Sequence, residues 1–234
     1  ALRAEPHELP ALGWAFAYFF LLLSSYYVLR PVRDALAVEL GAQALQRLFT
    51  ATLAAMLAVV PLFGWLASRL PRARLLPAVY AFFVVNLLAF TLELDARVFF
   101  VWLSVFNLFV ISVFWSFMSD IFDSRQAARL YGTIAAGGSC GAIAGPLIAA
   151  LVPQTKILLM LSALLLAATV VCIRALARWA GAHPRAAEPP PEAPLGGSIL
   201  AGARAALTSP FLLAICGYLL CYTALSTALY FQQV

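Results

Sequence analysis

The sequence predicts an all-α, polytopic membrane protein built as a bundle of helices. Hydrophobic residues make up 64% of the 234 residues, charged residues only 11%, and the mean hydropathy is +0.95. Soluble domains hold roughly 45–50% apolar and about 25% charged residues. The apolar residues also come in long runs of the length, about 20 residues, that crosses a ~30 Å hydrocarbon core as a helix. Because lipid offers no partners for free backbone groups, each such run has to be helical.

Seven apolar runs are candidate membrane spans. They cover residues 11–29 (continuing toward 36), 48–67, 75–92, 98–117, 131–152, 157–177 and 211–231. The chain starts without Met and stops where the seventh run ends, so we interpret it as a piece of a longer protein. We expect residues 1–178 to form a six-helix N-terminal bundle and residues 210–234 to open a second, C-terminal bundle.

Residues 179–209 predict a linker between the two bundles. The stretch 180–198 reads AGAHPRAAEPPPEAPLGGS, with five prolines and no apolar periodicity, which is typical of a flexible segment. The mildly amphipathic residues 199–207 follow, and we expect them to lie along the inner membrane surface.

The loop charges predict how the chain crosses the membrane. With a cytoplasmic N-terminus, ten basic residues fall on the inner side and five on the outer side. The outer five are Arg30, Arg33, Arg47, Arg97 and Lys156. The positive-inside rule therefore places the N-terminus in the cytoplasm, and we expect a bacterial inner membrane protein. The net charge of +5 is scattered over loops rather than forming one basic run, so no nucleic-acid partner is expected.

The far end of the first run holds charged residues, which cost roughly 2.5–3.5 kcal/mol at membrane depth and therefore mark a functional site by default. On a helix, Tyr26, Arg30 and either Arg33 or Asp34 share one face, and Pro31 interrupts the backbone hydrogen bonds among them. If Asp34 neutralises one guanidinium, about one positive charge remains to bind a carboxylate or phosphate. The alternative is that both arginines extend to the outer headgroups.

Small residues recur in the fifth run at four-residue intervals. They are Gly137, Gly141, Gly145 and Ala149. Such spacing predicts a groove on one helix face that lets a neighbouring backbone approach closely. Pro146 leaves a carbonyl unpaired and allows the helix to bend. Any tight helix pair can use this device, so it favours close packing more than a particular function.

The seventh run places polar and aromatic residues on one face. These are Tyr218, Tyr222, Ser226 and Tyr230. Tyrosine rings can stack on a base or hydrogen-bond a polar solute across a cavity, so we predict that Tyr218, Tyr222 and Ser226 contribute to solute binding. Tyrosine is also common at membrane interfaces and in helix packing, which is the alternative.

The segment after the second run, GWLASRLPRAR at 64–74, resembles the loop motif between the second and third helices of the major facilitator superfamily. The matching positions are Gly64, Leu66, Arg69 and Arg72. The resemblance implies a gating role for Gly64, Arg69 and Arg72, and the alternative is a basic loop that only fixes orientation. Gly141, Gly145 and Pro146 are similar to the fifth-helix motif of facilitator antiporters.

Three segments resemble the nucleotide (ATP/ADP) translocase branch of that superfamily more closely. They are YYVLRPVRD at 26–34, FWSF at 114–117 and RLYG at 129–132. The resemblance implies that Arg33 takes part in nucleotide transport. The acidic residue that the branch carries in its fourth helix has no counterpart here, because residues 102–113 contain no Asp or Glu.

Together these patterns predict the N-terminal half of a facilitator-type secondary transporter, plus the first helix of its second half. Such halves contain inverted three-helix repeats and bind solute near the membrane midplane between the halves. We expect a small anionic solute, with nucleotide exchange as one candidate, and neither cofactor nor metal. The absence of a GxxxxGK[ST] motif argues against ATP hydrolysis.

Three alternatives stay open. The first is a proton-coupled drug or metabolite efflux permease on the same fold. The second is a non-transporting sensor or scaffold. The third, a membrane-embedded enzyme, is disfavoured because His7 and His183 both lie outside the apolar runs. The expected partners are the solute, the lipid bilayer and the C-terminal half of the same protein.

Overall fold

The computed structural model describes residues 4–69, 72–183 and 207–233, and these residues form seven helices. The helices are α1 (Leu9–Leu40), α2 (Ala42–Arg69), α3 (Arg72–Leu92), α4 (Ala96–Ile121), α5 (Ser124–Leu151), α6 (Thr155–Ala182) and α7 (Pro210–Gln233). No β-strand occurs in these ranges.

Among the described residues, six helices are long and apolar enough to cross a membrane. The exception is α3, whose apolar part is the shorter stretch Leu76–Leu92. The predicted all-helical chain, with helices that fit a membrane bundle, is confirmed. The third predicted span corresponds to the shorter helix.

Helix α1 is the central element of the bundle. It is 32 residues long and packs against α5 and α6 along most of its length, and against α4. Its core side chains, among them Tyr18, Leu22 and Leu29, have no exposed surface. Pro31 lies inside the helix without ending it. Any group on α1 is therefore placed by contacts with three other helices.

The glycines of α5 lie directly against the backbone of α1. A Cβ atom added to Gly137 would lie 2.5 Å from the carbonyl oxygen of Phe16, and one added to Gly141 would lie 2.5 Å from that of Phe20. Gly145 packs as closely on the same helix. Larger residues would push the helices apart. Helix α1 therefore packs in the predicted groove on α5.

Hydrogen bonds made by side-chain hydroxyls also hold α1 in place. The hydroxyl of Ser25 donates to the carbonyl of Ser162 on α6 at 3.0 Å, and Ser162 Oγ donates to the carbonyl of Ser25 at 2.9 Å. The hydroxyl of Tyr18 hydrogen-bonds that of Tyr80 on α3. Such interhelical bonds contribute about 0.6 kcal/mol each on average in a bilayer. They fix the register of α1 more than they add stability.

The helix pairs follow a symmetrical pattern. Helix α1 packs on α5, α2 packs on α4, and α3 packs on α6. When α1–α3 are exchanged with α4–α6, the pair α1–α5 becomes α4–α2 and the pair α3–α6 is unchanged. The α1–α6 contact has a smaller counterpart between α3 and α4. The arrangement is compatible with two inverted three-helix repeats.

The loops gather at two ends of the bundle. At the end that we call the N-terminal end, Arg129 at the start of α5 contacts Glu8 just before α1. At the opposite end, Arg33 lies on Phe100 of α4, and Arg47 and Arg97 line one pocket. The structure groups the loops at the same two ends to which the count of basic residues assigns them. The orientation with the N-terminus in the cytoplasm stays a prediction.

Helix α7 does not join the packed core of the other six. None of its described side chains is buried, and Tyr218 and Tyr222 are 69% and 61% exposed. Helix α6 continues to Ala182, a few residues beyond the predicted bundle boundary at 178. Most of the predicted linker, including its amphipathic part up to residue 206, lies outside the described residues.

Candidate functional site

Arg33 and Asp34 form a closely bonded ion pair at the end opposite the N-terminus. The Nε and Nη2 atoms of Arg33 both donate to Oδ1 of Asp34, at 3.0 and 2.8 Å. The side chain of Arg33 is only 15% exposed, and its guanidinium carbon lies 5.1 Å from the ring centroid of Phe100. A cation over an aromatic face is attracted by the ring quadrupole. Arg33 therefore points toward α4 and is largely shielded.

Arg30 is held much more loosely. Its side chain is 48% exposed, and its Nε lies 3.9 Å from Oδ2 of Asp34. Its guanidinium carbon also lies 5.7 Å from the centroid of the Tyr27 ring. Exposed pairs of this kind contribute little to stability, typically below about 1 kcal/mol. One carboxylate thus serves two guanidinium groups, which leaves about one positive charge and several open N–H donors on Arg30.

Tyr26 is placed beside this cluster but among apolar rings. It is 8% exposed, and its ring lies 5.0 Å from that of Tyr27 and 6.5 Å from that of Phe106 on α4, between centroids. Tyr26 and Arg33 are seven residues apart, and both face α4, as the helical spacing predicts. Arg30 was predicted to share that face, but it is 48% exposed and does not contact α4 in this way, because its guanidinium lies toward Tyr27 of its own helix. The predicted anion site is therefore divided into a shielded half and an exposed half.

The predicted residues of α7 are not brought to this cluster. Within the described residues, the ring contact of Tyr218 is with Tyr222, at 6.4 Å between centroids, and both side chains are exposed. Ser226 is exposed as well. The side chain of Tyr230 lies outside the described part of the chain. The contribution of α7 to solute binding stays a prediction.

The segment 64–74 is not one long loop, contrary to the expectation from its motif. Helix α2 runs through Gly64 to Arg69, and α3 begins at Arg72. Helix α2 continues past Gly64 because Leu66 and Ala67 are good helix formers. The side chains of Gly64, Arg69 and Arg72 lie outside the described residues, so the gating role assigned to them stays a prediction.

A second polar cluster, at the N-terminal end, is one that the sequence analysis misses. The side chain of Glu8 is only 1% exposed, and its Oε1 accepts hydrogen bonds from Arg129 Nη2 at 2.8 Å and Gln126 Nε2 at 3.0 Å. Its Oε2 accepts from the backbone N–H of Glu5 at 2.9 Å. Nearby, Nε1 of Trp179 donates to a backbone carbonyl just before α1, at 3.1 Å. This cluster ties the start of α1 to α5 and α6.

Glu8 is charged at neutral pH. Burial by itself would raise the pKa of Glu8, but hydrogen bonds from the Glu5 N–H and Gln126, together with the Arg129 guanidinium, hold its pKa below the ordinary value. A buried carboxylate is tolerated when its lone pairs are used in this way. The sequence held one signal for this pair. Glu8 stands immediately before the first apolar run, and the charge count places it on the same side of the membrane as Arg129.

The same cluster contains three groups that could ligate a metal. Ligand atoms of Glu5, His7 and Glu8 lie within 4.8 Å of one another. Both carboxylate oxygens of Glu8 already accept hydrogen bonds, and the cation beside it is Arg129. A metal ion would have to displace that guanidinium. The geometry therefore favours a structural ion pair, and we assign no metal to it.

In comparisons with known proteins, no family model, no curated protein and no solved structure matches this chain.

Proposed function

We propose that this chain is the N-terminal half of a facilitator-type secondary transporter that moves a small anionic solute. The observation that carries the proposal is the Arg30–Asp34–Arg33 group on the central helix, in which one carboxylate serves two guanidiniums of very different exposure. A site that keeps an excess positive charge and open donors is suited to bind an anion and release it again.

Binding follows from the unequal exposure of the two arginines. The half-exposed Arg30 has N–H donors open to an incoming carboxylate or phosphate. The bound anion then competes with Asp34 for Arg33, whose donors face a single carboxylate oxygen. Asp34 thus acts as an internal anion that holds Arg33 between cycles. Return of Asp34 to Arg33 favours release of the solute, so no covalent step is required.

Transport also requires the half to move as one body. The close backbone contact between α1 and α5 makes the two helices a stiff unit, because the glycines leave no unfilled space between the two backbones. The symmetrical helix pairing supports the inverted repeats of facilitator halves, which rock about a central solute site. In this proposal the C-terminal half is the second wall of that site, and α7 is its first helix.

The narrower identity of the solute is proposed from the resemblance. The segments at 26–34, 114–117 and 129–132 favour a nucleotide, whose phosphates are the groups that paired arginines bind best. We place the protein in a bacterial inner membrane with its N-terminus in the cytoplasm, which puts the arginine group at the outer side.

The test is solute exchange by the full-length protein in proteoliposomes. Labelled ATP and ADP, a dicarboxylate and a lipophilic cation under a proton gradient form the substrate panel. We expect Arg33→Ala to abolish anion exchange and Arg33→Lys to retain part of it. Arg125→Ala removes an exposed arginine at the N-terminal end and is the matched control. Anion exchange that is unchanged in Arg33→Ala would refute the role given to Arg33.

A non-transporting scaffold is the second candidate. The observation that favours it is the closed geometry of the Arg33–Asp34 pair, which a purely structural clamp would share. A correctly folded protein that exchanges no member of the panel would support this reading. Efflux of the lipophilic cation alone would instead support a proton-coupled permease.

A further inference from the structure

We infer that Arg47 and Arg97 form a second anion site, which binds a phosphate group at the end of the bundle opposite the N-terminus. The two residues line a small pocket of about 120 Å³ between α2 and α4, together with Ala44 and Leu48. The pocket has room for a compact anion and none for a large organic molecule. In the sequence, both arginines stand out only as loop charges.

The charged residues that line the pocket are both basic. Both arginines are exposed, and within the described part of the chain neither has an ion pair within 4.0 Å. Asp95, two residues before Arg97, uses its Oδ1 to accept the backbone N–H groups of Arg97 at 2.8 Å and Val98 at 3.0 Å. These bonds hold the pKa of Asp95 below its ordinary value. Asp95 is not among the lining residues, so the pocket presents two guanidiniums and no carboxylate to an anion.

The helix directions add to this field. Helix α2 begins at Ala42 and α4 at Ala96, so the positive ends of both helix dipoles lie beside the pocket. Guanidinium groups bind phosphate oxygens in bidentate fashion, which a tetrahedral anion between two arginines satisfies from two sides. The ligand class is a phosphate group, either the phosphodiester of an anionic phospholipid or the phosphate of a soluble solute.

The pocket is separate from the Arg33 group but mechanically connected to it. Leu48, which lines the pocket, packs in a small apolar cluster with Leu45 and Phe100. The guanidinium of Arg33 lies over the ring of Phe100. The two sites share no residue. A phosphate in the pocket holds α2 to α4 and so steadies the ring on which Arg33 lies. The inference does not depend on the proposed transport activity.

The test measures bound ligands by native mass spectrometry of the full-length protein in detergent. The probes are phosphatidylglycerol, phosphatidylcholine and inorganic pyrophosphate. The variant is Arg47→Gln/Arg97→Gln, and the matched control is Arg125→Gln/Arg178→Gln, which removes two exposed arginines elsewhere. We expect one phosphatidylglycerol to bind at least about tenfold more weakly to the variant than to the control.

Each outcome decides the inference. Loss of phosphatidylglycerol alone assigns the site to a lipid headgroup, and loss of pyrophosphate assigns it to soluble phosphates. Equal binding of all three probes by variant and control would overturn the proposal. If the double variant fails to fold, Arg47→Lys/Arg97→Lys keeps both charges and should bind with intermediate affinity because the bidentate geometry is lost.

Discussion

The two ends of the bundle each hold an ion pair involving a carboxylate, and the two pairs are built differently. At the N-terminal end, Glu8 is buried and both of its oxygens accept hydrogen bonds, from partners on α5 and beside α1. At the other end, Asp34 is 34% exposed and serves two arginines of its own helix. A satisfied, buried group holds helices together, whereas a shared, open one can exchange partners. The first end is therefore built to hold helices together, and the second is the end at which the proposed function places solute binding.

The largest effect is expected from breaking the N-terminal pair. Arg129→Ala leaves the buried carboxylate of Glu8 without its cation, and removing one partner of a buried pair costs about 3 kcal/mol. The measurement is unfolding of the detergent-solubilised protein. Arg125→Ala, four residues earlier and exposed, should change stability little. Equal stability of the two variants would show that the N-terminal pair is not structural.

Gly141→Ala should have the next largest effect, because the contact between α1 and α5 connects the two ends. The added methyl group would lie 2.5 Å from the carbonyl oxygen of Phe20, and overpacking of this kind costs about 1–3 kcal/mol. Gly132→Ala on the same helix is the control, since nothing lies within 4 Å of its added Cβ. That variant should be neutral or slightly stabilising, because alanine is the better helix former. A Gly141→Ala protein as stable as Gly132→Ala would contradict the close packing.

The pH dependence of stability sharpens the comparison further. The folded-state pKa of Glu8 lies below its ordinary value of 4.5, so its stabilisation is complete above that value and is lost as pH falls through the folded pKa. Melting temperatures measured from pH 7 to pH 3 should therefore fall more steeply for the wild type than for Glu8→Gln. Parallel curves would indicate that Glu8 does not contribute.

The smallest effect on stability is expected at the end opposite the N-terminus, where Asp34 lies. Asp34→Asn removes a partly exposed partner, and pairs of this type contribute below about 1 kcal/mol. The same change frees Arg33 from its internal anion, so anion affinity should rise while the exchange rate falls. Affinity and exchange measured on the same preparation separate these effects. Weaker anion binding in Asp34→Asn would contradict the role of Asp34 as a competing anion.

The local features of this chain were predictable because they depend on residues close together in sequence. The grouping of Tyr26 and Arg33 on one side of α1 follows from helical spacing, although Arg30, predicted to join them, is half exposed. The pairing of Arg33 with Asp34 joins neighbours in the chain. The groove of α5 follows from glycines four residues apart. The pairing of Glu8 with Arg129 was not predictable, since 121 residues separate them.

The sequence by itself determined that the chain is helical and fits a membrane, because long apolar runs leave the backbone no other way to satisfy its hydrogen bonds. It also placed two arginines and a carboxylate in the C-terminal part of the first helix. Only the tertiary structure decided which arginine is shielded, because that depends on where Phe100 of α4 meets α1. The same holds for the arginine pocket between α2 and α4, since helix packing brings together side chains that no sequence period connects.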